Sequence, residues 1–299
     1  MRADPTYYNN VVLALNSAMK NSNDLAAELS SGLRVGSLSD DPTAATQSLR
    51  LGGQIASIDT YVQTASGMGS RLQMVDSTLG EVVSQVTTAI SLAVGAANGT
   101  LNGANLQAIA GQVTSIRDNI LTLANSSYQG SYLFSGSQGA TAPFSLNTSS
   151  APATTVYAGD GNVQTITTPG GQKIQVSLPG DSIFGSGSSG VLGVLNQLVS
   201  DLTNGTTANI AADSSALTDA MGTVSTQRSL LNNSLSTIRS TSTYAQTQEA
   251  QLKVQQSALV ASDPAAVATA LKSNQTQYQA LLSVITALQG DNLFNHLQG

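Results

Sequence analysis

Apolar residues recur at spacings of three and four along the C-terminal part of the chain. The seam positions of the first run are Leu217, Met221, Val224, Arg228, Leu231, Leu235, Ile238, Ser242, Ala245, Glu249, Leu252, Gln256 and Leu259. Most of them are apolar, and Arg228 and Glu249 stand where apolar residues are expected. After a break at Asp263 and Pro264, the second run comprises Val267, Leu271, Asn274, Tyr278, Leu281, Ile285 and Leu288. A seam with this period predicts helices that pack along partner helices, because the apolar stripe must be covered.

A matching seam begins near the N-terminus. Its members are Tyr8, Val12, Leu15, Met19, Ser22, Ala26 and Leu29. Gly32 follows at the position where a left-handed C-cap ends a helix. In the connector after it, Ser39 or Asp40 can cap the next helix, with Pro42 in its first turn. The pattern therefore predicts a first helix that ends at Gly32 and a second that starts close to Pro42.

Two further helices and a β-rich segment occupy the middle of the chain. A long helical pattern over residues 51–93 ends at the turn signals of residues 98–103, and another covers residues 106–123. From 131 to 190 the composition changes to Gly, Ser, Thr and Pro, with β-like pieces at residues 132–134 and 182–184. Residues 163–166 and 173–178 flank a Pro-Gly-Gly turn, which predicts a hairpin. Helical patterning returns at Val191.

This order predicts a mainly α fold. We expect a long antiparallel coiled-coil helical rod formed by both termini, with a small β-rich insert in the middle of the chain. The corresponding domain division assigns residues 1–43 and 260–299 to a terminal coiled coil. Residues 44–130 and 191–259 form a helical rod domain, and residues 131–190 form the outer β-rich insert.

The composition of the chain excludes some classes of binding partner. Only 9% of the residues are charged, and 11 basic against 17 acidic residues give a net charge of −6. No Lys/Arg cluster is present in the sequence, so a nucleic-acid partner is not expected. The N-terminus has no apolar signal core and no apolar run approaches the roughly 20 residues of a membrane span, so neither a cleaved signal peptide nor membrane insertion is expected. Weak net repulsion favours self-association.

The motifs that suggest chemistry have simpler interpretations. Residues 185–190 satisfy G-x-G-x-x-G, but a helix rather than a parallel strand follows, which favours a Gly/Ser linker over a nucleotide site. Ser17 and Lys20 match S-x-x-K without an accompanying K-T-G. His296 is the single histidine and the chain has no cysteine. The sequence therefore predicts no enzyme, no cofactor and no metal site.

Two short motifs in the N-terminal part carry a family resemblance. Residues 29–35 read LSSGLRV and residues 39–45 read SDDPTAA. This pair, in this order and spacing, resembles the N-terminal signature of the bacterial flagellin family, and Leu293 and Phe294 near the C-terminus also resemble it. Residues 130–136 (GSYLFSG), 157–161 and 179–184 are similar to the hook–filament junction branch of that family. The opening departs from the family pattern, because Ala3, Asp4 and Pro5 stand where a short β-branched run is usual.

The resemblance implies a structural role in the bacterial flagellum. Proteins of this family are exported unfolded without a cleaved signal, and their terminal helices order in the polymer as concentric coiled-coil tubes. The implied location is extracellular. The implied partners are further copies of the chain, the adjoining hook-associated protein, flagellin and an export chaperone.

Two residue sets follow from this interpretation. The expected subunit-interface seam comprises Tyr8, Val12, Leu15, Met19, Leu29, Val267, Leu271, Tyr278, Leu281, Ile285 and Leu288. The family turn motif comprises Leu29, Ser30, Ser31, Gly32, Arg34, Asp40, Asp41 and Pro42.

Other classes of protein share part of this pattern. A short or minor flagellin would keep the same termini but would polymerise into long filaments. A coiled-coil adhesin or secreted needle-tip protein would share the seams without the two N-terminal motifs. An enzyme would require the β-rich insert to bind a ligand.

Overall fold

The chain folds mainly into helices, with short strands in its middle. A computed structural model describes residues 5–205 and 207–297, and the side chains of residues 5, 8 and 288–297 lie outside that description. The elements in order are α1 (Pro5–Ser31), α2 (Pro42–Ala97), α3 (Gly103–Ala124), β1 (Ser127–Tyr128), β2 (Ser131–Tyr132), β3 (Phe144–Asn147), β4 (Thr154–Tyr157), β5 (Thr165–Thr167), β6 (Lys173–Gln175), α4 (Asp181–Phe184), α5 (Gly190–Asn204), α6 (Thr207–Val260) and α7 (Pro264–Leu297). The predicted fold class, long helices with a small β-rich insert, is confirmed.

The chain divides into two compact units. Unit 1 comprises Met1–Ser57 and Gln248–Gly299, and unit 2 comprises Ile58–Thr247. Unit 1 therefore contains α1, α7, the start of α2 and the end of α6. The division into three domains made from the sequence stays a prediction.

Within unit 2, α2 and α6 run antiparallel. The Tyr61 hydroxyl lies 2.6 Å from the Thr241 hydroxyl, and Arg228 Nε donates to Asp76 Oδ1 at 2.7 Å. The apolar stripe of α2 lies in the core, and its least exposed members are Leu72, Leu79, Val82, Val86, Ala89 and Ala93. These are members of the periodic pattern, so the period of the sequence locates the core of unit 2.

Helix α2 also has the length and composition of a membrane span. An 18-residue window in Pro42–Ala97 has a mean hydropathy of 1.3, and 33% of the window is buried. This differs from the expectation drawn from the absence of a long apolar run. The core helix of a soluble protein meets the same criteria, and in unit 2 the stripe from Leu72 to Ala93 is already covered by protein.

The β-rich segment consists of three two-stranded antiparallel sheets. β1 pairs with β2, β3 with β4, and β5 with β6, where Ile166 lies opposite Ile174. The last pair confirms the predicted hairpin. The strand expected at residues 182–184 is wrong, because this segment forms α4. Ile183 and Phe184 are both buried, which successive residues of a strand cannot achieve against one core, since they point to opposite faces.

Three phenylalanines hold this segment together. The ring of Phe184 meets Phe134 at a centroid distance of 5.1 Å and Phe144 at 5.4 Å, both in T-shaped arrangements. The Tyr157 ring lies 5.0 Å from that of Phe144 at an interplanar angle of 41°, and the Tyr157 hydroxyl donates to the Phe134 carbonyl at 2.9 Å. Edge-to-face packing of this kind stabilises a core beyond the area that it buries.

Two buried carboxyl groups meet between α5 and α6. Asp201 is 6% exposed and Asp213 is 8% exposed, and the charge of Asp201 acts on the Asp213 carboxyl group. Gln197 Nε2 donates to Asp201 at 2.9 Å, whereas Asp213 Oδ2 has no hydrogen-bond partner among the described residues. Burial, followed by the charge of Asp201, raises the pKa of Asp213 to about 7. Asp213 therefore keeps its proton well above the pH at which an ordinary aspartate loses it.

We expect unit 2 to lose stability as the pH rises through the range in which Asp213 loses its proton. The pKa of Asp213 is higher in the folded state than the ordinary 3.8, so the folded chain binds the proton more tightly between about pH 4 and pH 7. Asp213→Asn removes the charge and keeps a donor for Asp201. It should raise the free energy of unfolding by about 1–2 kcal/mol more at pH 8 than at pH 5.

Urea unfolding at both pH values measures this difference. Asp219→Asn serves as the control, because Asp219 lies exposed on the same helix. Equal effects of the two substitutions at pH 8 would contradict the raised pKa of Asp213.

Candidate functional site: the terminal helix pair and its turn cluster

The first helix ends as the sequence predicts. Gly32 has a φ of 70°, and its N–H donates to the Glu28 carbonyl at 2.8 Å. This left-handed conformation strains residues that carry a Cβ, so glycine is favoured here. The chain then turns away from the axis of α1 into the connector that leads to α2.

Hydrogen bonds join this connector to the break between α6 and α7. The Arg34 N–H donates to the Val260 carbonyl at 2.8 Å, and the Ser262 N–H donates to the Gly32 carbonyl at 3.0 Å. The Arg34 guanidinium also donates to the Leu259 carbonyl at 2.9 Å. Arg34 therefore binds the last carbonyls of α6, where the helix dipole favours a positive charge.

The two adjacent aspartates of the turn motif have separate roles. Asp40 Oδ2 accepts hydrogen bonds from the Gly36 N–H at 3.0 Å and the Ser37 N–H at 2.8 Å. These bonds, led by the one from the Ser37 backbone, lower the pKa of Asp40 because they stabilise its ionised form. The expectation that Ser39 or Asp40 caps α2 is wrong. Asp41 is the cap.

Asp41 and Asp263 start their helices in the same way. Asp41 Oδ1 accepts from the N–H groups of Thr43 at 3.1 Å and Ala44 at 3.0 Å, directly before α2. Asp263 Oδ1 accepts from the Ala265 N–H at 2.9 Å, directly before α7. Each cap precedes a proline at the first helical position, where a missing N–H leaves no bond unmade.

We call residues 32–45 and 259–263 the turn cluster. Its apolar centre is small and consists of Val35, Ala44 and Ala45 with the partly buried Val260 packed against them. An ion pair between Arg34 and Asp41, 3.6 Å apart, closes its exposed side. The motif residues and the α6–α7 break thus bring together four helix ends within unit 1, those of α1, α2, α6 and α7.

Helices α1 and α7 pack against each other in antiparallel directions. Asn274 Nδ2 donates to the Ala18 carbonyl at 2.9 Å near the middle of the pair. At the end next to the turn cluster, the Ser262 hydroxyl donates to Glu28 Oε1 at 2.8 Å. The helices of the two chain ends therefore meet in one molecule.

The structure places the expected interface residues in three groups. Val267 is buried, while Leu271, Tyr278, Leu281 and Ile285 are half-buried on the same face of α7. On α1, Val12 and Leu15 are half-buried, whereas Met19 is 50% exposed and Leu29 is 40% exposed. Val11 and Ala18, which the sequence seam missed, are the buried residues of α1. The side chains of Tyr8 and Leu288 lie outside the described residues. The role of this set between subunits stays a prediction.

Unit 1 has very little core. Among the described residues, its buried apolar side chains are Val11, Ala18, Val35, Ala44, Ala45 and Val267, none of them larger than valine. Ten of the sixteen exposed large apolar side chains also belong to unit 1, and these are Tyr7, Leu13, Met19, Leu29, Leu33, Leu38, Leu49, Val254, Leu282 and Val284. Such a surface is typical of a region completed by a partner.

The glycine-rich motif of residues 185–190 has a structural explanation in unit 2. Gly187 and Thr155 exchange two backbone hydrogen bonds, at 2.8 and 3.2 Å, which fix this segment to β4. The same segment leads from α4 into α5.

Among the described residues, no group of three His, Asp or Glu side chains could hold a metal ion.

Comparison with known proteins shows that this chain is similar to flagellar proteins. Residues 6–139 match the family model of the bacterial flagellin N-terminal helical region, and this segment includes the whole turn motif. Flagellar hook-associated protein 3 of Salmonella typhimurium is 31% identical over 121 residues, which cover 40% of this chain and 38% of that protein. The chain resembles flagellar hook-associated protein 3. The matched segment spans about two fifths of the length of this curated relative.

Solved structures support the same fold. The structure assigned as a flagellar hook-associated protein from Vibrio parahaemolyticus has a TM-score of 0.66 at 22% identity, covering 74% of this chain and 99% of that one. The flagellar junction protein FlgL from Legionella pneumophila has a TM-score of 0.55 at 15% identity, covering 63% of this chain and 98% of that one. At these identities the likeness shows the fold, which is that of the hook-associated proteins.

Proposed function

We propose that this chain is a structural subunit of the bacterial flagellum that joins a hook-associated protein to the filament. Its terminal helices pack against those of neighbouring subunits. The observation that carries the proposal is the small core of unit 1, whose described residues include only six buried apolar side chains, none larger than valine. At about 25 cal/mol per Å² of buried apolar surface, so small a core offers little to offset the entropy of ordering two long helices. Neighbouring copies supply the missing burial.

The resemblance supports the particular position in the flagellum. The matched relative is named a hook-associated protein 3, and one structural neighbour is titled a flagellar junction protein. The proposed partners are further copies of this chain, the adjoining hook-associated protein, flagellin and an export chaperone, outside the cell after export without a cleaved signal. The proposal assigns the chain no enzymatic activity, and a filament-forming minor flagellin is the alternative that the experiment must separate.

The proposal also assigns roles to the expected interface residues and to the outer β-rich insert. Val12, Met19 and Leu29 are exposed or half-exposed apolar residues of α1, and we assign them to contacts between subunits. The α7 face from Val267 to Ile285 serves first as the partner of α1. Residues 131–190 remain outside these contacts as the outer insert.

We expect the isolated chain to lose protection in unit 1 first. Hydrogen exchange of the purified monomer should be fast in α1 and α7 and slow in the α2 and α6 segments of unit 2, because local stability follows buried apolar contact. Addition of a hook-associated protein 1 assembly should slow exchange in α1 and α7 by at least about tenfold.

Two results would contradict the proposal. Exchange in α1 and α7 as slow as in unit 2, in dilute monomer, would show that the terminal pair needs no neighbour. Growth of the purified protein into long filaments without a seed would favour the minor flagellin instead.

A further inference from the structure

Three Asn-Gly pairs occur in the chain, at residues 98–99, 102–103 and 204–205. All of these residues are exposed. Asparagine is a chemically labile residue, and a following glycine favours loss of its side-chain amide, because glycine has no Cβ to keep the next backbone nitrogen away from the asparagine side chain. Sequence and exposure therefore do not separate the three pairs, whereas their hydrogen bonds do.

Two of the pairs are held by the fold. Asn102 caps α3, since its Oδ1 accepts from the Asn105 N–H at 2.9 Å. The Asn102 side chain is therefore fixed toward the helix, and a reaction at its carbonyl carbon must first break the cap. At the end of α5, the Gly205 N–H donates to the Asp201 carbonyl. In this second pair, the backbone nitrogen that would have to react is already bound.

The pair at residues 98–99 has no such restraint. It follows Ala97, the last residue of α2, and Gly99 has a φ of 68°. Neither the Asn98 side chain nor the Gly99 N–H makes a hydrogen bond to any residue that the structure describes. Apart from its chain neighbours, no described atom lies within 4 Å of the position that a Cβ of Gly99 would take. The side chain and the nitrogen can therefore approach each other without breaking a bond.

We infer that Asn98 is a site of spontaneous deamidation, which the fold selects over Asn102 and Asn204. The Gly99 nitrogen attacks the Asn98 carbonyl carbon Cγ, loses its proton and expels ammonia, which closes a cyclic succinimide. Water then opens the ring at either carbonyl and leaves aspartate or isoaspartate. The sum consumes a water molecule and releases an ammonia molecule, so the step needs no other reactant.

The product places a new negative charge at the C-terminal end of α2, where the helix dipole disfavours a carboxylate. Ala93 and Ala96, which lie within the last turns of α2, are fully buried. The end of the helix should therefore fray while the buried stripe stays covered, and amide exchange over residues 94–101 should rise about two- to fivefold. The inference does not rest on the proposed function, and it adds to unit 2 a charge that grows with the age of the molecule.

Incubation of the purified chain at pH 8 tests the inference, with peptide mass spectrometry that separates aspartate from isoaspartate. Both products should form at position 98 at least about fivefold faster than at 102 or 204, since breaking a hydrogen bond slows the reaction there by about that factor. In urea, where the fold no longer selects, the three positions should react at similar rates. Asn98→Gln should abolish the reaction at its position, because the longer side chain does not close the same ring.

Asn98→Asp measures the consequence for the helix. This variant should show the raised exchange over residues 94–101 without incubation. Asn102→Asp is the matched control, since it keeps a capping oxygen and should leave exchange in α3 within about twofold. Equal rates at the three positions of the folded chain, or an unreactive Asn98, overturns the inference. Neither result bears on the proposed function.

Discussion

Replacing Phe184 with alanine is expected to lower the free energy of unfolding of unit 2 by about 3–5 kcal/mol. The ring is fully buried and contacts both Phe134 and Phe144. Its removal leaves a cavity among rigid aromatic neighbours and breaks two edge-to-face contacts. Urea unfolding followed by circular dichroism measures the change, because unit 2 contributes most of the buried core.

A matched substitution shows whether the effect belongs to the aromatic cluster. Val156 lies on β4 in the same β-rich segment, but it is 47% exposed. Val156→Ala should therefore change the free energy of unfolding by no more than about 0.5 kcal/mol. Similar losses for the two variants would mean that the cluster is not the core of this segment.

Replacing Arg34 with alanine is expected to slow assembly about tenfold while leaving the unfolding of unit 2 unchanged. The guanidinium bond to the Leu259 carbonyl joins the α1–α2 connector to the end of α6, and its loss removes about 1–2 kcal/mol from the turn cluster. The exposed ion pair with Asp41 adds little. Because unit 1 has so small a core, this loss is a large fraction of its local stability.

Assembly on a hook-associated protein and hydrogen exchange of α1 together measure the effect. Arg50→Ala is the control, since Arg50 is an exposed arginine of unit 1 on α2. Exchange in α1 should rise in the Arg34 variant alone. If the two variants assemble at the same rate, the turn cluster does not position the terminal helices.

Local chemistry explains why the ends of the helices were predictable. Gly32, Pro42 and Pro264 act through their own backbone constraints, so the sequence alone locates the turns beside them. The seam of α7 was predictable for a related reason, because Val267, Leu271 and Asn274 repeat at the period of the helix. Capping by the aspartates before Pro42 was predictable, but the choice between Asp40 and Asp41 was not, because only the bonds within the connector assign Asp40 to the other turn and Asp41 to the helix.

Features that depend on distant partners could not be read from the sequence. Among the described side chains of α1, the buried ones are Val11 and Ala18 rather than Val12 and Met19, because α7 approaches α1 closely where Asn274 meets Ala18. A seam containing both sets is consistent with two faces, one covered by α7 and one left for a neighbour. The Asp201–Asp213 pair was missed because no pattern in the sequence marks two carboxyl groups that only folding brings together.

The contact between Ala18 and Asn274 joins residues that are 256 positions apart. Closing so large a loop carries an entropic cost that grows by about 0.6 kcal/mol with each doubling of its length. Contacts inside unit 2, such as Tyr61 with Thr241, shorten the effective loop before the chain ends meet. We therefore expect the middle of the chain to fold before its two ends pair.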